Sequence, residues 1–126
     1  MTAPANLFYT KTHEWVRDEN GTYFIGITDH AQSALGDIVF LSLPAAGDKL
    51  KKDEAFSDIE SVKAVSSVFS PVSGTVLEAN EALLDSPDQI NRDPYGAWLV
   101  KVADVTDKAS LLSAEEYEKF LAEEDK

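Results

Sequence analysis

Turn residues interrupt this chain too often for long helices. Between residues 12 and 102 its apolar stretches run only a few residues before meeting a break such as Asn20-Gly21, Gly47-Asp48 or the segment 71–74. Short runs rich in β-branched and aromatic residues, bounded in this way, read as strands. The clearest unit is residues 12–27, THEWVRDENGTYFIGI, where Asn-Gly joins two such runs into a hairpin. IVFLSL at 38–43 is a compact strand that stops at Pro44. AFSDIE at 55–60 and VSSVFS at 65–70 flank a tip of Ser61, Val62, Lys63 and Ala64, and TVLEA at 75–79 and AWLVKV at 97–102 add further strands. With Val62 and Lys63 as the central turn residues, Glu60 faces Val65, Asp58 faces Ser67 and Phe56 faces Phe69.

Helical signals are few. Asp29 followed by Gln32 reads as a capping box, with Gly36 placed to end a short internal helix. Residues 81–96 read as irregular with at most a short helix. Ser113-Ala114-Glu115-Glu116 opens a C-terminal helix over about 113–124, with Tyr117, Phe120 and Leu121 inward and Glu115, Glu118 and Glu123 in water. The fold class is therefore mainly β, an antiparallel sandwich or barrel to which the helices are additions.

Length and charge narrow the function. A chain of 126 residues can bury one proper core, not two. It contains no cysteine, so disulfides, thiolate catalysis and thiolate metal sites are excluded, and any redox sulfur must come from elsewhere. A net charge of −12 repels phosphate backbones and argues against nucleic-acid or anionic-membrane binding, while favouring encounter with basic surfaces of partner proteins. No stretch approaches the roughly 20 apolar residues needed to span a bilayer. The first residues lack the features of a signal or transit peptide, which is expected to be absent or already removed.

Enzyme signatures are missing. There is no phosphate-cradling glycine motif. His13 and His30 are the only histidines, neither lies in a ligand spacing, and surface or capping positions are expected for both. No metal site and no catalytic residue is read from the chain. The feature that stands apart is Lys63, a single lysine on the tip of a hairpin. Asp58 and Glu60 lie beside it, and turn-plus-strand elements bracket it on both sides, at residues 47–50 and 71–76.

Those residues carry a resemblance. Gly47-Asp48-Lys49-Leu50, then ESVKA at 60–64, then FSPVSGTV at 69–76 resemble the biotinyl/lipoyl carrier domains. Biotin carriers usually set Met on both sides of the lysine, and lipoyl domains of 2-oxoacid dehydrogenases set Asp before it. Val62-Lys63-Ala64 after Glu60-Ser61 is instead similar to the glycine cleavage system H-protein family. HEWV at 13–16, GITDHAQSALGDIVFLSLPAAG at 26–47, the segment 87–96, WLVKV at 98–102 and SAEEYEKFL at 113–121 extend the likeness over nearly the whole chain. One departure is a turn shortened to Ala97 before Trp98, which bears on strand register there.

The resemblance implies a single lipoyl-carrier domain over 1–126, core about 8–103, folded as a flattened antiparallel β-barrel/sandwich hybrid of two small sheets. It implies a carrier, not an enzyme, with lipoic acid amide-linked to Lys63. The arm would take an aminomethyl group from a pyridoxal-phosphate glycine decarboxylase to an aminomethyltransferase that uses tetrahydrofolate. A flavin (FAD) dihydrolipoyl dehydrogenase would reoxidise it, and a lipoate-attaching enzyme would load it. A carboxylate in a cleft would pair with the carried amine. Glu14 of the HEW motif is the candidate for that arm contact, an exposed strand acid beside the hairpin being the alternative. The expected location is the bacterial cytoplasm, or the mitochondrial matrix for a processed eukaryotic chain. An H-like protein serving mainly as lipoyl donor to other complexes, an unmodified β-sandwich interaction module, and a biotin carrier are the competing readings.

Overall fold

The structure is a computed structural model that describes residues 3–124. In chain order its elements are β1 (Phe8–Tyr9), β2 (Glu14–Glu19), β3 (Thr22–Ile27), α1 (Asp29–Leu35), β4 (Ile38–Leu41), β5 (Lys49–Leu50) and β6 (Ala55–Ser61). They are followed by β7 (Val65–Phe69), β8 (Val72–Ala79), α2 (Ala82–Asp85), α3 (Gln89–Arg92), β9 (Val100–Lys108) and α4 (Ala114–Glu124). The strands form a six-stranded sheet in the order β1-β2-β3-β9-β8-β5 and a three-stranded sheet in the order β4-β6-β7. Every pairing is antiparallel. The chain is mainly β as expected, but its two sheets do not close into a continuous barrel.

Alternation of side chains builds the interior. Val16, Tyr23, Ile25, Leu50, Val72, Val76, Val100 and Val102 project from one face of the larger sheet into a common cluster. Ile38, Leu41, Ile59 and Val68 of the smaller sheet pack with Leu83 of α2 and Ile90 of α3. Tyr9, Trp15 and Tyr117 form a third cluster, on which Phe120 and Leu121 of α4 settle. Trp15 needs room opposite. Its pairing partner across the β2–β3 ladder is Gly26, where a Cβ would stand 2.6 Å from the indole ring. The indole Nε1 is satisfied by donating to the Pro94 carbonyl at 3.0 Å.

The ends of the elements refine the sequence reading. Thr28, not Asp29, caps α1, its hydroxyl accepting the Ala31 N–H, while Asp29 accepts from the Gln32 amide one position inside. Gly36 ends that helix at φ 80°, as its position implied. Ser113 and Glu116 complete a reciprocal capping box on α4. Tyr117 is buried and Glu115 and Glu123 are exposed, but Glu118 is half-buried and accepts the Ala3 N–H at 2.8 Å. Residues 81–96 hold two single-turn helices rather than one. The break read at 71–74 is shorter than expected: β8 already begins at Val72, and Gly74 lies within it against the Ala103 carbonyl. The strand read at 97–102 starts later, at Val100, and continues to Lys108. Despite the shortened turn at Ala97, β3 and β9 pair without a register shift.

Candidate functional site

Lys63 stands where the hairpin reading put it. Glu60 pairs with Val65 and Asp58 with Ser67, so Val62 and Lys63 are the central residues of the tip. Ser61 closes the turn: its N–H donates to the Ala64 carbonyl at 2.8 Å and its hydroxyl oxygen accepts the Ala64 N–H at 3.0 Å. Farther down the ladder the expectation fails. A bulge sets Ala55 opposite Phe69 and leaves Phe56 unpaired. Phe56 turns inward instead, half-buried against both the small-sheet and large-sheet clusters, and that packing replaces the expected Phe56–Phe69 pair.

The tip is fastened to the body. Val62 N–H donates to the Asp37 carbonyl at 3.0 Å, just beyond α1. The Lys63 stem passes over Gly36, where a Cβ would come 3.3 Å from Lys63 Cε. A side chain at 36 would crowd that path. Lys63 itself is exposed, and among the described residues no carboxylate forms an ion pair with it. Its amine is therefore presented on a held turn, free to be acylated. Around it the small sheet exposes Val39, Phe40, Val62 and Val65, each more than half exposed. Phe40 and Val65 flank Glu60 in one cross-strand row. Asp58 accepts the Ser67 hydroxyl at 2.9 Å, so Glu60 is the freer acid of the pair.

Glu14 is not an exposed strand acid. It is 2% exposed and holds a network. The Thr10 and Thr12 hydroxyls both donate to Oε1, and the Phe69 N–H donates to Oε2 at 3.2 Å. Burial raises its pKa above the ordinary 4.5, while these donors pull the other way. All the contacts are donors, so the group is built as an acceptor, with lone-pair capacity left on Oε2. Beside it opens a cleft of about 430 Å³ lined by Thr10, Thr12, Glu14, Asp53, Phe69 and Ser70 among others. Phe69 ends β7, which starts two residues after Lys63. Tip and cleft are thus joined by one strand, about 13 Å long at about 3.3 Å per residue.

His13 and His30, read as separate surface or capping residues, meet. Their ring centroids are 4.6 Å apart and both side chains are half-buried. Periodicity gave no sign of this, because the contact is made by the His13 carbonyl accepting the Thr28 N–H, a bond between the end of the β1–β2 turn and the start of α1.

The model of the family described as "Glycine cleavage H-protein" matches residues 7–124. A glycine cleavage system H protein of Lachnoclostridium phytofermentans is 54% identical over 125 residues, covering 98% of both chains. One from Halothermothrix orenii is 50% identical over 126 residues, again covering 98% of both. Among solved structures, a glycine cleavage system H protein of Mycobacterium marinum superposes with a TM-score of 0.91 at 38% identity, covering 95% of this chain and 99% of that one.

Proposed function

The chain belongs to the glycine cleavage H-protein family, and from that premise we propose that Lys63 is the residue on which it carries lipoic acid. The family is the lipoyl carrier of the glycine cleavage system, a carrier and not an enzyme. The observation that supports the attachment site is the presentation of Lys63: exposed, unpaired among the described residues, and held on a turn bonded to Asp37. Lipoic acid amide-linked there would supply the redox-active disulfide that a chain without cysteine lacks.

The residues of this chain would do three things. The tip bonds of Ser61 and Val62 fix the turn while the Lys63 side chain stays exposed, so that an attaching enzyme can reach the amine. The Gly36 surface lets the aliphatic stem lie flat. Glu14, fixed by Thr10, Thr12 and Phe69, offers a buried acceptor to a cationic amine brought into the cleft, a charge-assisted bond protected from water. Tethering raises the effective concentration of the carried group at each docked enzyme to about the millimolar range.

The partners are the other components of that system: glycine decarboxylase with pyridoxal phosphate, the aminomethyltransferase with tetrahydrofolate, and FAD-dependent dihydrolipoyl dehydrogenase, together with a lipoate-attaching enzyme. Residues 1–126 act in this reading as one carrier domain, in the bacterial cytoplasm. Among the described residues no helix is long and apolar enough to cross a membrane.

Lys63→Arg tests the assignment, since the guanidinium keeps the charge but is not an acylatable amine. Folding should stay within about 0.5 kcal/mol of wild type, as surface changes usually do. Lipoate incorporation and glycine decarboxylation in the reconstituted system should both be lost, while Lys51→Arg and Lys52→Arg retain them. A Lys63→Arg protein that still accepts lipoate and supports the cycle would show the assignment to be wrong.

A further inference from the structure

We propose that His13, His30 and Glu124 form a binding site for a divalent transition ion of the zinc class. The three side chains come from separate parts of the chain: the turn before β2, the second residue of α1, and the last turn of α4. One ligand atom from each lies within 4.8 Å of the other two. His13 Nε2 is already 3.6 Å from Glu124 Oε1. Neighbouring ligands of a tetrahedral site with bonds of about 2.0–2.1 Å stand about 3.3 Å apart. Small rotations of the half-buried His30 and the exposed Glu124 cover the remaining difference.

His13 is also prepared for the task. Its Nδ1 lies 2.8 Å from the Tyr117 hydroxyl, which lies 2.8 Å from the Thr28 hydroxyl. With Nδ1 engaged, Nε2 is the nitrogen left free, and it is the one that faces Glu124. Metal-ligating imidazoles are held in this way through their second nitrogen, which sets ring orientation and tautomer. A cavity of about 320 Å³ lined by His30, Tyr95, Tyr117 and Glu118 adjoins the cluster. Of the three ligands His30 borders it, so water can approach the cluster from that side. Two imidazoles and one carboxylate suit zinc, cobalt or nickel, whereas magnesium and calcium take oxygen shells. A bound ion would staple the end of α4 to α1 and to the turn that leads into β2 at Glu14.

The test uses full-length protein stripped of metal by a chelator. Zinc is titrated by calorimetry and cobalt(II) by visible absorption, each in excess magnesium, because a net charge of −12 collects cations without selecting among them. One equivalent should bind, with the d–d bands of a four- or five-coordinate cobalt ion. His30→Gln and Glu124→Gln should each weaken binding by at least about tenfold, the loss that even outer-shell changes cause. Circular dichroism of the metal-free variants should match wild type, so that the loss is not one of folding. Absence of stoichiometric binding, abolition by magnesium, or wild-type affinity in either variant would overturn the proposal.

Discussion

Glu14 shows best what burying a single ionisable side chain does to the fold. Its folded-state pKa is raised, with burial as the largest cause, so the folded protein holds the proton more tightly than the unfolded chain does. The contribution of this group to stability is therefore full below pH 4.5 and is lost as pH rises through the raised folded value. Thermal unfolding of wild type and Glu14→Gln across that range checks the sign. Wild type should gain on the variant toward acid and lose ground toward neutrality; a difference that moves the opposite way would contradict the burial argument. The arm contact proposed for Glu14 has no signal in the HEW motif beyond the family resemblance. Its burial was not, because the partners that seal it include Phe69, which β7 brings over from the other sheet. His13 and His30 were illegible for the same reason. Ligand spacing in sequence detects pairs on one element, and these sit on two.

At the scale of elements, local chemistry predicted best where it also decides the structure. The hairpin register near Lys63 follows from the period-2 alternation and a four-residue tip, and it holds from Ser57 to the turn. It breaks at Phe56, where burial of an aromatic ring against two clusters outweighs a ladder bond, a tertiary effect with no local signature. The capping box of α4 is local too. Ser113→Ala should cost about 1 kcal/mol, the usual loss for a cap, in chemical denaturation. Gly26 bears on the interior instead. Gly26→Ala would drive a methyl into the Trp15 indole and should destabilise by about 1–3 kcal/mol, as overpacking of a core does. Measured losses near zero at both sites would mean that neither the cap nor the Trp15 contact matters. Thr28 illustrates a smaller error: two adjacent residues both suit a cap, and backbone geometry, with Thr28 extended, selects between them.

For the molecule as a whole, a net charge of −12 is combined with exposed apolar side chains at the tip, Val39, Phe40, Val62 and Val65, set around Glu60 and Lys63. A carrier that visits several enzymes gains from long-range steering that brings it close and from a small apolar contact that lets it leave. The rate of encounter with its enzymes should fall steeply as salt is raised from low ionic strength, because the Debye length shrinks to about 10 Å at 0.1 M. A salt-independent rate would argue against steering. The antiparallel β class was legible from strand count and turn placement and the two sheets only through the family resemblance, whereas the failure to close into a barrel was not legible, since sheet closure depends on strand pairings distant in sequence. The central claim is that this fold exists to present one acylatable lysine. Intact-mass measurement after incubation with a lipoate-attaching enzyme, followed by peptide mapping, tests it most directly. The account predicts a single addition, the mass of lipoic acid less one water, confined to the peptide containing Lys63; an unmodified chain, or an addition on any other lysine, would contradict it.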